Sequence, residues 1–348
     1  MAAASLGSPF KALSEVAMNQ SPGFLLIASS KMQRTPAFER AVALARACGE
    51  HLRIVALDYS RALDVMGVFD HSTFTVLRQS YLQTHRLWLE DQAAQERARG
   101  LECSVEVLWT NRCFDAISAY IKTTQPRMLI KDVRHEPLFA RIFSTPLDWH
   151  LLRDCVCPVQ FVTDARHPLP GKLLAAVNLD RYEETELKLN DTLVRTASSL
   201  AGQCRGSVHV LYSDDWSAFY AANVTLLGAL PIETGFHEAL SEAHAEAFAS
   251  LCERHGIPSE CRHFLTGTPQ PTISAFARES DIDLLIMGIL PQRGLGRIMG
   301  NTAESLLLHA PCSVLIIKPG EDASDVSSLF SVKKSTAVPR AFLTPRDL

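Results

Sequence analysis

The residues best placed to do chemistry lie between Gly288 and Thr302. This stretch holds Gly288, Gly294, Gly296 and Gly300, with Arg293 and Arg297 among them and Asn301-Thr302 at its end. Glycines let a backbone approach a phosphate closely. A helix starting at Asn301-Thr302 would turn free N–H groups and a positive dipole end outward. Arg293 and Arg297 could add cationic contacts. The plainer reading is a glycine-containing loop in which Asn301 caps a helix and Glu304 completes a capping box. The box fits either reading.

Other polar residues fall at the ends of apolar runs. Asn178 and Asp180 follow Leu173–Val177, and Ser29-Ser30 follow Phe24–Ala28. Asn178 could hydrogen-bond a base or ribose, or could form an Asx turn leaving a strand. Asp148, Trp149 and His150 are neighbours, but residues two apart do not share a helix face, so Asp148 is read as helix-start chemistry after Thr145-Pro146. The apolar stretch Trp216 to Ile232 is either a helix or lid on its own domain, or a lining for an apolar ligand or partner. Cys155 and Cys157 lie two apart with no second pair at zinc spacing.

The elements that must position these residues are written twice. Ala116-Ile117-Ser118-Ala119-Tyr120 matches Thr272-Ile273-Ser274-Ala275-Phe276, and at the same offset Met128-Leu129-Ile130 falls on Leu284-Leu285-Ile286. A repeat of roughly 150 residues is domain-sized. In each copy, short apolar runs alternate with helical patterns. The first copy has strands near 24–28, 52–57, 105–109, 128–131 and 159–163, and the second near 173–177, 208–212, 261–265, 284–287 and 314–317. Helices are expected between them, including one opened by Thr35-Pro36 and closed by Gly49, and one from Thr272 to Glu279. The order predicts α/β architecture: two tandem doubly wound five-stranded parallel-sheet domains. Residues 1–22 read as a lead-in, 23–165 as the first domain, 166–171 as a linker and 172–320 as the second domain. Residues 321–348 read as a disordered tail.

The first copy's loop, Lys131 to Thr145, contains no glycine. It keeps a helix start and lacks the phosphate-friendly backbone. Net charge is −4, which gives no footprint for nucleic acid. No uncharged stretch reaches bilayer length; the longest, Trp216 to Ile232, is 17 residues and contains Pro231. There is no secretory signal pattern. Nine scattered cysteines, an odd number, suit a reducing cytoplasm, with Cys48, Cys157 and Cys312 read as small core residues.

Met287-Gly288, Gly300-Asn301-Thr302-Ala303-Glu304 and His309 to Pro319 resemble the universal stress protein family, whose signature is G-x2-G-x9-G-[ST] between a strand and a helix. The resemblance runs from about Gly23 to Pro319. Trp109–Arg112, Asp148–Arg153 and Ala176–Leu179 resemble the tandem members of its E type. It implies a cytoplasmic, non-catalytic stress-response protein that binds a ligand or protein partner, with its domains packed as an intrachain pseudo-dimer through closing strands near Val159 and Val314. A homodimer of tandem chains stays open. Of cofactors it implies only ATP, in the second domain, held by Asn178, Gly288, Gly300 and Asn301. The departures are Pro291 at the second glycine, eight residues instead of nine before Gly300, and Asn178 or Ser29 where the family has Asp. The runner-up readings are a carrier of an apolar-tailed small molecule and an ATP-dependent enzyme. Neither a Ser-Gly-Gly loop nor a His-x-Gly-His pair is present to support the enzyme.

Overall fold

The computed structural model of the chain describes residues 22–60, 71–133, 146–163, 167–180, 184–217, 234–290, 306 and 310–319. Arg293, Gly294, Arg297, Gly300, Asn301 and Thr302 lie outside them. So do the lead-in apart from Pro22, the tail, and most of Trp216 to Ile232.

Ten strands form one sheet in the order β3-β2-β1-β4-β5-β10-β9-β6-β7-β8. The first half contributes β1 (Phe24–Ala28), β2 (Leu52–Asp58), β3 (Cys103–Trp109), β4 (Met128–Asp132) and β5 (Val159–Val162). The second contributes β6 (Lys172–Val177), β7 (Ser207–Asp214), β8 (Arg262–Thr266), β9 (Leu284–Gly288) and β10 (Ser313–Ile317). Pairing within each half is parallel, and β5 joins β10 antiparallel, with Gln160 opposite Leu315. The expected closing strands therefore meet, and the two five-stranded sheets are continuous.

β1 is buried at every residue, as a central parallel strand with both faces covered must be. Its residues divide between two apolar cores. Phe24 and Leu26 face one and Leu25 and Ile27 the other, and both cores run across the seam. The helices are α1 (Pro36–Cys48), α2 (His71–Ala98), α3 (Cys113–Thr124), α4 (Pro146–Asp154), α5 (Glu184–Cys204), α6 (Thr234–Arg254) and α7 (Pro269–Glu279).

α1 starts and stops where its sequence says. The Thr35 hydroxyl accepts from the Phe38 N–H, Pro36 opens the first turn, and Gly49 closes it at φ 64°. α7 begins three residues before the expected Thr272, because Pro269 is suited to open a first turn; Thr268 before it makes no side-chain capping bond. Of the cysteines read as core, Cys312 is buried, whereas Cys48 and Cys157 are partly exposed.

Candidate functional site

Strand pairing sets which residues of the two halves correspond. Phe24 lies beside Met128, and Leu173 beside Leu284. Ser29 therefore matches Asn178, and Asp132 matches Gly288. In each half the first strand is flanked by the second and the fourth, so the chain reverses direction across the sheet between β1 and β4, or between β6 and β9. Ligands of open α/β sheets enter at that point.

Among the described residues a crevice of about 920 Å3 opens there in the first half. Ser29, Thr35, Lys131, Asp132 and Thr163 line it, with Phe114 stacked on His150 at 4.7 Å. Its charges are largely satisfied from within. Asp132 reaches from β4 to the start of α1, where its carboxylate accepts from the Ala37 N–H at 2.9 Å and from the Thr35 hydroxyl. The helix N-terminus, a natural seat for an anion, thus holds the protein's own carboxylate. Lys131 pairs with buried Asp148 at 2.7 Å, and Arg112 with Asp115 at 2.5 Å.

In the second half the matching position is Gly288, which carries no carboxylate. A Cβ there would lie 2.5 Å from Cδ2 and 3.0 Å from Cγ of Leu189. Packing of α5 onto β9 thus favours glycine at 288, since any side chain there would displace Leu189. Asn178 adopts the Asx turn: its Oδ1 accepts from the Asp180 N–H at 3.1 Å. Ser29 does the same in the first half, accepting from the Lys31 N–H at 3.2 Å. Buried Asn190 of α5 clamps the Asn178 backbone, accepting from its N–H at 3.1 Å and donating to its carbonyl at 2.6 Å. The structure thus brings Asn178 and Gly288 to the ends of paired strands.

A buried Asp–His pair recurs in both halves and was not anticipated. Asp58 ends β2 and Asp214 ends β7, at equivalent positions. His85 of α2 meets Asp58 at 2.5 Å, and His244 of α6 meets Asp214 at 3.2 Å. Asp214 also accepts from Trp216 Nε1 at 2.9 Å and Ser241 Oγ at 2.8 Å. Burial works against ionisation of Asp214, but these donors outweigh it and hold the carboxyl below its ordinary range. Trp216 is thereby committed to its own domain. The repeat carried a signal for these pairs, since the offset that aligns Met128 with Leu284 also places Asp58 on Asp214.

No helix among the described residues is long and apolar enough to cross a membrane, and no cluster of three or more His, Cys, Asp or Glu there could hold a metal. A family model described as "Universal stress protein family" matches residues 187–318. The chain is similar to Universal stress protein E of Photorhabdus laumondii, at 29% identity over 301 residues, 85% of this chain and 94% of that protein. A crystal structure of a functionally unknown Pseudomonas aeruginosa protein aligns with a TM-score of 0.67 at 23% identity, covering 90% of this chain and 98% of that one. One of a universal stress protein from Archaeoglobus fulgidus aligns with a TM-score of 0.57 at 16% identity, covering 85% and 98%.

Proposed function

We propose that the chain, similar to the universal stress protein family over residues 187–318 and to Universal stress protein E along most of its length, serves the stress response by binding a ligand or partner without catalysis. Nucleotide binding, in this reading, is confined to the second half. What supports the confinement is Asp132. A triphosphate entering the first crevice would meet a carboxylate already seated on the α1 N-terminus, and Lys131 and Arg112 already paired. At the matching place the second half offers Gly288. Its Asn178, Arg293, Gly294, Arg297, Gly300, Asn301 and Thr302 are the proposed contacts. The nine unpaired cysteines support a reducing, cytoplasmic setting.

Native mass spectrometry of the full chain with and without Mg-ATP tests this. One ATP per chain is expected, and none after Gly300→Asp. Two per chain, or none in the unaltered protein, would overturn the reading, and conversion of bound ATP to product would overturn its non-catalytic part. A second reading, a carrier of an apolar small molecule, is favoured by one observation. The first crevice combines internally paired charges with apolar walls from Ile27, Leu57, Leu147 and Val162. A mass retained through purification, with ATP absent, would select it.

A further inference from the structure

Cys155 and Cys157 stand just after α4, where the first half meets the second. Their sulfurs are 3.5 Å apart, within hydrogen-bonding reach. Lys318, at the end of β10 in the other half, extends over the same turn. Its ammonium donates to the Cys155 carbonyl at 2.8 Å and to the Leu151 carbonyl at 3.4 Å. Cys155 is buried, Cys157 is partly exposed, and Val156 between them is 76% exposed. The dithiol is therefore one residue below the surface, and no third metal-ligating group joins it among the described residues.

We propose that Cys155 and Cys157 form an oxidative modification site, a dithiol that reduces a hydroperoxide and closes to an intrachain disulfide. The Cys155 thiolate attacks the peroxide oxygen, and the O–O bond breaks. This leaves a sulfenic acid on Cys155 and an alcohol, or water, that has taken up the released proton. The Cys157 sulfur then loses its proton and attacks the Cys155 sulfur. The S–S bond forms, and hydroxide leaves with that proton as water. Two electrons pass from the dithiol to the peroxide.

Geometry favours closure of the disulfide. The sulfurs need approach by only about 1.5 Å to reach bonding distance, and Val156 between them is exposed. The hydrogen bond from Cys157 holds the Cys155 thiol below its usual value, and the Lys318 charge acts the same way against burial. Cys155 is alone in this: the shared hydrogen bond and burial push Cys157 up, and burial raises the seven cysteines outside the pair, Cys48 and Cys312 to about 12. Zinc-type chemistry is less suited to a pair of sulfurs without further ligands.

The test uses the intact chain. It is exposed to hydrogen peroxide at neutral pH, then denatured, alkylated and mapped by peptide mass. The peptide holding both cysteines should lose two hydrogen atoms before any other cysteine is modified. In Cys157→Ser the reaction should stop at a sulfenic acid on Cys155, captured by dimedone. Reaction of the other seven cysteines at an equal or faster rate would overturn the proposal, as would absence of a dimedone adduct on Cys155 in the folded variant.

Discussion

Asp214 shows how much a single carboxylate can organise. It ends a strand, is nearly inaccessible, and is hydrogen-bonded to four side chains, Tyr212 of its own strand and Trp216, Ser241 and His244 beyond it. Asp214→Asn keeps the shape but removes the charge, and should lower stability by about 2 kcal/mol at neutral pH. The sign of its pH dependence follows from the direction of its shift. A carboxyl held low in the folded state contributes fully above its unfolded value of about 3.9. That contribution disappears as pH falls through the folded value. Urea unfolding of the parent and the variant should therefore differ at pH 7 and converge in acid, once pH has fallen below the depressed folded value. A constant gap across that range would assign the effect to packing. The pair was legible only in part. Asp58 and Asp214 align in the repeat, but His85 and His244 arrive from helices 27 and 30 residues later, where no local pattern marks them.

At the scale of elements, the sequence predicted what depends on near neighbours. Thr35-Pro36 and Gly49 bracket α1 within a few residues of the groups they satisfy, and the structure agrees. Asp132 caps the same helix from 95 residues away, too far along the chain for any local pattern to mark it. Gly288 illustrates a different limit. A glycine at the end of a strand before a glycine-bearing loop invites a phosphate explanation, yet Leu189 of α5 occupies the space a Cβ would need. Gly288→Ala should cost about 1–3 kcal/mol by overpacking. Leu189→Ala should cost less in the Gly288→Ala background than alone, since it removes the colliding atoms. A thermodynamic cycle from urea melts measures this, and strict additivity would show that the contact does not limit residue 288.

The whole molecule depends on the seam. Gln160 sits there with no exposed surface, and neither polar atom of its amide has a hydrogen-bond partner among the described residues. An orphaned buried amide costs stability, so Gln160→Leu should raise the unfolding free energy by about 1–2 kcal/mol. Chemical denaturation reads this directly, and destabilisation would reveal a bound water or another partner for the amide. The closing strands were legible because Val159 and Val314 head matching apolar runs. Gln160 was not, since alternation along four residues does not reveal that both faces of a strand are covered.

The antiparallel junction of β5 with β10 also alters the statistics of assembly. Two separate subunits meeting along such an edge would part on dilution, and mismatched copies could exchange. Here both halves travel on one chain, so each sees its counterpart at an effective concentration set by the connecting segment rather than by the cell. Scarcity of the protein then leaves the pairing intact, and the two halves are free to diverge: one carries Asp132 at the mouth of its sheet, the other Gly288.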